Sequence, residues 1–233
     1  MDPVRGIGFD LDHTLAIDNR LERVALLRLL DVLLREGGRT VGTLADEIGA
    51  IDRLLTQQRL GEFSIDQAVA RFVGAHGLEP SDRFLEIFRQ SAVEMVEEFV
   101  VPLPGVRPML EALRGRGIAV AVLSNGWNPL QLRKAQQAGF CADVLVSSDI
   151  GVQKPAPAAF HRLLEALGSD PGRTWYVGDD PHGDVAGAQR VGIRAVWMNW
   201  ERKEYPAELA QPLHTIADFA ELVELLPAPA RAR

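Results

Sequence analysis

The residues best suited to chemistry stand near the start of the chain. Phe9-Asp10-Leu11-Asp12-His13-Thr14 sets two carboxylates one residue apart, at the end of a short apolar run that begins at Val4. Residues two apart in a strand point to the same face, so a slight turn past the strand end can aim both carboxyl groups at one reacting centre. That suits a nucleophile beside an acid/base. The plainer alternative is that the acidic residues and Thr14 only cap a following helix. Three later segments bear on the choice. Ser124-Asn125-Gly126 follows an apolar run and leads into a helix; there a hydroxyl and fresh backbone N–H groups can bind phosphate, or Ser124 can be a simple cap. Gln153-Lys154-Pro155-Ala156-Pro157 holds a lysine in an extended loop before a helix. A fixed ammonium there could neutralise phosphate and the charge developing on a nucleophile, or it could merely be solvated. In Gly178-Asp179-Asp180-Pro181-His182-Gly183-Asp184, hard oxygen ligands cluster after an apolar run. That composition suits Mg²⁺, against the alternative of a turn and an aspartate-capped helix. His182 reads as a loop histidine, because Mg²⁺ favours oxygen.

Elements must exist to bring these segments together. Leu21, Val24, Leu27, Leu30 and Leu34 recur at spacings of three and four and predict a helix over 21–36, stopped by Gly37-Gly38. Thr43 with Asp46 heads a second helix that carries Leu44, Ile48, Ile51 and Leu55; Ser64 with Gln67 fits a capping box and begins a third over 65–75. A fourth runs from about Ser81 to Phe99. Residues from about 16 to 100 therefore read as a helical bundle without an obvious strand, joined to the rest by a linker, Val101-Pro102-Leu103-Pro104-Gly105.

Beyond the linker the rhythm changes. Helices are expected over 106–114, 129–138, 157–167 and 184–191, and they precede apolar strands over 119–123, 144–146, 175–177 and 195–198. A last pair falls near 215–216 and 218–226, and Pro227 to Arg233 reads as a frayed tail. This alternation implies an α/β fold with a parallel sheet. The first strand has no partner nearby in sequence, so it joins the later sheet and the bundle becomes an insertion expected to sit over Asp10. Ligands in open α/β sheets bind beyond the carboxyl ends of strands, where all four segments fall.

Composition narrows the partners. The 233 residues include 47% hydrophobic and 24% charged, ordinary for a globular protein with a sizeable core. A formal net charge of −7 and the lack of a long Lys/Arg run argue against nucleic acid and anionic membrane, so an anionic ligand needs a local positive site. Cys141 is the single cysteine, which excludes an intrachain disulfide and a cysteine metal cluster and fits a reducing cytosol. No basic segment precedes an apolar core at the N-terminus, and no apolar stretch approaches ~18 residues. A cytoplasmic protein without signal peptide or membrane span is expected.

Taken together, Asp10-x-Asp12-x-Thr14, Ser124, Lys154 and Gly178-Asp179 to Asp184 recur in order at successive strand ends and resemble the four motifs of the haloacid dehalogenase superfamily. Pro104-Gly105-Val106 and Asp184-Val185-Ala186-Gly187-Ala188 are also similar to that family, and the resemblance covers nearly the whole core. It implies a Rossmann-like parallel sheet over 1–15 and 101–233 with an inserted α-helical cap over 16–100. It further implies that Asp10 is the nucleophile accepting a phosphoryl group and that Asp12 protonates the leaving oxygen and then activates water. The Asp10 and Asp179 carboxylates, with the Asp12 main-chain carbonyl, would surround Mg²⁺. Thr14, Ser124, Asn125 and Lys154 would bind phosphate, and Asp184 would orient metal-bound water or Lys154. Asp180 stands where many relatives have serine and Gly183 where many have asparagine, which leaves Asp180 a secondary metal candidate.

The expected function is therefore Mg²⁺-dependent hydrolysis of a small phosphorylated metabolite. The other readings are a phosphomutase on the same core, a metal-free haloacid dehalogenase, which generally lacks the second acidic residue of the first motif, and a catalytically idle binding module. Phosphorylated sugars, nucleoside monophosphates and phosphoglycolate-like acids all fit, because selection lies in the cap. The cap segment carries ten arginines, no lysine and fifteen acidic residues. Arg20, Arg23, the turn Arg59-Leu60-Gly61-Glu62-Phe63 and Trp127 are candidates for touching substrate, each with packing or solvation as the alternative.

Overall fold

A computed structural model of the chain describes residues 3–18 and 20–226. It separates into two compact units, Met1–Asp18 with Val100–Arg233, and Asn19–Phe99. The expected tail over 227–233 lies outside the described residues.

The first unit holds eight strands among the described residues: β1 (Gly6–Phe9), β2 (Ala16–Ile17), β3 (Val101–Pro102), β4 (Ala119–Ser124), β5 (Asp143–Val146), β6 (Thr174–Gly178), β7 (Arg194–Met198) and β8 (His214–Ile216). Six form one sheet in the order β5-β4-β1-β6-β7-β8, parallel throughout. This is the α/β, Rossmann-like core expected from the alternating pattern. The chain builds outward from β1 through β4 to β5 and then crosses to β6 on the other side of β1. Phe9 is thereby in register with both Val122 and Val177. Such a reversal of strand order opens a crevice at the carboxyl ends, and β1, β4 and β6 all end there.

Helices cover both faces, which is why the strands read as nearly continuous apolar runs. On one face Phe160 and Leu163 of the helix Pro157–Leu167 pack with Ala121, Leu123, Tyr176 and Val185. On the other, Phe9 meets Phe219 edge-on at 6.5 Å between ring centroids. Strand β1 alternates accordingly. Its Gly8 faces the first helix, where an added Cβ would lie 2.4 Å from Leu163 Cδ2, so glycine lets helix and strand approach closely.

Three local expectations change. The linker and the start of the supposed bundle pair as an antiparallel ribbon, Ala16 with Pro102 and Ile17 with Val101, so 16–18 belong to the first unit. Two-residue strands are too short for a period to register, and Pro102 is tolerated because such a ribbon leaves an edge free. The helix expected over 184–191 begins instead as a wide turn, Pro181–Val185, followed by the helix Ala186–Arg190. The run from Ser81 to Phe99 splits at Met95 into Asp82–Glu94 and Val96–Phe99.

The second unit is helical: Leu21–Arg35, Leu44–Arg59, Ile65–Ala75, Asp82–Glu94 and Val96–Phe99. Thr43 with Asp46 and Ser64 with Gln67 both form capping boxes, each supplying two otherwise orphaned N–H groups with acceptors. Buried His76 is held by the Phe72 carbonyl at 2.6 Å and by Glu47 Oε2 at 3.0 Å. Arg23, a candidate for substrate contact, is engaged within this unit by both oxygens of Asp52.

The packing predicts a sharp contrast. Phe160 is wholly buried and stacks edge-on with Tyr176 at 5.2 Å. Phe160→Ala should destabilise the protein by about 3–5 kcal/mol in urea unfolding, whereas Leu132→Ser, at a side chain 39% exposed, should stay within about 0.5 kcal/mol. Equal effects would refute this packing.

Candidate active site

The site begins with the parity of β1. Asp10 lies two residues beyond Gly8 and points to the same side, and its N–H donates to the Val177 carbonyl at 2.9 Å, extending the ladder one residue past the strand. On that side it meets Lys154, whose Nζ donates to Asp10 Oδ1 at 2.5 Å, to Asp184 Oδ1 at 2.7 Å and to the Tyr176 hydroxyl at 3.1 Å. An ammonium has three N–H donors, so the geometry accounts for all of them. Tyr176 OH in turn donates to the Leu123 carbonyl at 3.1 Å. Asp184 is close because Gly178 has no side chain; a Cβ there would fall 2.3 Å from Asp184 Oδ2. The Asp180 N–H donates to that Oδ2 at 3.1 Å.

Asp179 closes the cluster. Its carbonyl accepts from Trp197 Nε1 at 2.8 Å, and its carboxylate accepts from the Thr14 hydroxyl at 3.4 Å. Carboxylate oxygens of Asp10, Asp179 and Asp184 lie within 4.8 Å of one another. Hard oxygen donors crowded in this way fit a divalent cation such as Mg²⁺.

Asp12 stands slightly apart. Its Oδ1 accepts from Lys134 Nζ at 3.0 Å and its Oδ2 from Gln131 Nε2 at 2.8 Å, while Gln131 Nε2 also donates to Ser124 Oγ at 2.7 Å. Asp10, Thr14, Lys154, Asp179 and Asp184 thus form one network, and Asp12 with Ser124 forms a second beside it.

Two expected residues act differently. Asn125, expected to bind phosphate, directs its side chain at the main chain of Lys154: Nδ2 donates to the carbonyl at 3.0 Å and Oδ1 accepts from the N–H at 2.8 Å. It holds the lysine loop. Asp180 is exposed and accepts from the His182 N–H at 2.9 Å, which caps the turn and leaves it outside the three-carboxylate cluster. Sequence reasoning missed Tyr176, Gln131 and Lys134. Tyr176 lay hidden as one aromatic in an apolar strand. The other two left a signal, since Gln131 and Lys134 sit three apart among the buried positions of the helix Leu130–Gln137, where polar side chains need a reason.

The profile of the haloacid dehalogenase-like hydrolases matches residues 4–192. The chain belongs to this family of hydrolases. Among curated relatives, it is 29% identical over 237 residues to a phosphoglycolate phosphatase of Rhodospirillum rubrum, covering 97% of this chain and 92% of that protein. It is 32% identical over 141 residues to the pyrimidine 5'-nucleotidase YjjG of Escherichia coli, covering 59% of this chain and 62% of that protein, less than two thirds of its length. Among solved structures, a 2-haloacid dehalogenase from Pseudomonas syringae superposes with a TM-score of 0.71 at 27% identity, covering 95% of this chain and 97% of that one. The family fold therefore carries more than one chemistry, and the site residues must discriminate.

Electrostatics follow from crowding in a buried site. Burial, reinforced by Asp184 and opposed by Lys154, raises the Asp10 carboxyl to about 7. Burial, with Asp10 and Asp184 adding repulsion, raises Asp179 to about 8. Burial alone would push Lys154 down, but Asp10 and Asp184 more than offset it and hold the ammonium charged, well above its ordinary range. Burial also raises the Tyr176 hydroxyl, which stays a neutral donor.

These shifts have a sign. Asp10 and Asp179 titrate higher folded than unfolded (~3.9), so between about pH 4 and 8 the folded state holds more protons and its stability falls as pH rises. The metal-free protein should lose melting temperature from pH 5.5 to 8.5. MgCl₂ should raise it, more at pH 8.5 than at 5.5, with Asp179→Asn removing most of the gain in differential scanning fluorimetry. A Mg²⁺ effect that is absent, or independent of pH, would sink this account.

Proposed function

We propose that this hydrolase cleaves a small phosphate monoester, with Mg²⁺, through an aspartyl-phosphate on Asp10. The observation that carries the reading is the convergence of the buried Lys154 ammonium with Asp10, Asp179 and Asp184, next to a second carboxylate, Asp12, held on its own donors. Asp10 Oδ attacks phosphorus as the P–O bond to the leaving group breaks, and Asp12 gives its proton to the departing oxygen. Asp12 then takes a proton from water, whose oxygen attacks phosphorus and frees Asp10. Thr14, Ser124 and Lys154 hold phosphoryl oxygens, Asn125 and Asp184 keep Lys154 in place, and Asp180 supports the turn that carries Asp184. Asp10, Asp179 and the Asp12 main-chain carbonyl would hold Mg²⁺, which when bound offsets the charge accumulating between carboxylate and phosphate.

The second carboxylate favours ester over haloacid. A departing halide needs no proton, whereas an alkoxide does, so a positioned acid/base has work only in the first case. The helical segment 16–100 takes the role of an inserted cap that selects the substrate, and the enzyme is assigned to the cytoplasm. The names of the relatives direct the substrate panel toward phosphoglycolate-like acids and pyrimidine nucleoside monophosphates.

Phosphate release across such a panel, with p-nitrophenyl phosphate included and Mg²⁺ present or chelated, tests the proposal. The wild type should turn over at least one ester only with Mg²⁺, Asp10→Asn should fall to background, and Asp12→Asn should lose roughly 10²–10⁴-fold in rate. A pure protein that hydrolyses none of them, or that releases halide from a haloacid without metal, overturns it.

A further inference from the structure

Lys134 is among the largest side chains buried below 2% of their area in the protein. Lysine is almost never found so unless paired, because an uncompensated ammonium in a dry interior is strongly disfavoured. Here Nζ donates to Asp12 Oδ1 at 3.0 Å and to Asp18 Oδ2 at 2.9 Å. One helical turn back, the two N–H groups of Gln131 Nε2 donate to the other oxygen, Asp12 Oδ2, at 2.8 Å and to Ser124 Oγ at 2.7 Å, with the Asn125 carbonyl 3.2 Å away. The Asp12 side chain keeps 29% of its area exposed. It is gripped on one side and open on the other.

Stability alone does not call for this arrangement. Buried ion pairs are commonly replaceable by apolar residues of similar volume at little cost. What the two donors supply is orientation: each carboxylate oxygen has its own partner, so neither side-chain torsion of Asp12 is free to turn. Proton transfer is steeply sensitive to placement, and misplacing a reacting group by about 1 Å can cost ~10²-fold. Because the same Gln131 amide touches Ser124 Oγ, the position of Asp12 is also tied to a group that would hold a phosphoryl oxygen.

Resting on the proposed phosphatase chemistry, we infer that Lys134 and Gln131 are positioning residues that aim the Asp12 carboxyl at the ester oxygen and then at the attacking water. They touch no substrate and move no proton; they act through Asp12.

Leaving-group dependence distinguishes this from a structural role. The kcat/KM value reports the step in which the ester P–O bond breaks, and p-nitrophenolate leaves without a proton whereas an alkoxide does not. Lys134→Met should lower kcat/KM roughly 10–100-fold for an alkyl phosphate that the wild type hydrolyses, while the value for p-nitrophenyl phosphate stays within about 3-fold. With p-nitrophenyl phosphate the variant should show a burst of nitrophenolate, since transfer to Asp10 survives and water attack is slowed. Lys134→Arg should recover part of the loss. Gln131→Met, which removes no charge, should show the same selective loss and keeps the inference testable if Lys134→Met does not fold. Loss of equal size on both esters, or no loss on either, in whichever of the two variants folds, overturns the inference. A wild-type protein inert toward both esters overturns the proposed function instead.

Discussion

The cluster of carboxylates at the centre of the core unit depends on one buried ammonium. Lys154 Nζ lies between Asp10 and Asp184, with Tyr176 as its third acceptor. Carboxylates this close in a low-dielectric interior repel each other, and a single shared cation is what lets them coexist. The fold supplies that cation through geometry. Asn125 pins the main chain of Lys154 from the end of β4, the Leu123 carbonyl fixes Tyr176, and Gly178 leaves the space that Asp184 fills. The first two restraints come from β4 and the third from β6, so the parallel order that sets β1 between those strands is a requirement of the site.

The cluster remains short of positive charge even with Lys154 in place, and the raised Asp10 and Asp179 carboxyls register that shortage. A divalent cation would relieve it, and on the proposed function the same carboxylates would bring cation and phosphate together. Asp12 avoids this arrangement. It has separate partners in Lys134 and Gln131, which allows two aspartates one residue apart to do different work. The turn just beyond Asp12 begins with His13, at a left-handed φ of 63°, with its carbonyl held by Trp200 Nε1 at 2.8 Å.

Much of this was legible in the chain. The apolar strands, the capping boxes at Thr43 and Ser64 and the four motif segments at strand ends could be read because each depends on local periodicity or on a short run of residue types. The ribbon of β2 and β3 was not, because two residues carry no period and their partners lie far along the chain, Ala16 with Pro102 and Ile17 with Val101. Asn125 and Asp180 show a subtler limit. Both belong to motif segments, yet their side chains serve the loops that present Lys154 and Asp184. Residue type and spacing nominate a group without telling which neighbour its hydrogen bonds will reach.

By itself, the sequence determined the α/β architecture, the family and the set of carboxylates and lysine available for chemistry. Strand periodicity, turn residues and motif order are properties of neighbours along the chain. Only the tertiary structure decided how those groups divide into two networks, Asp10 with Lys154, Asp179 and Asp184, and Asp12 with Gln131 and Lys134. That division depends on which strand ends are adjacent in the sheet and on which helix face turns inward. Both are set by packing between residues more than a hundred positions apart.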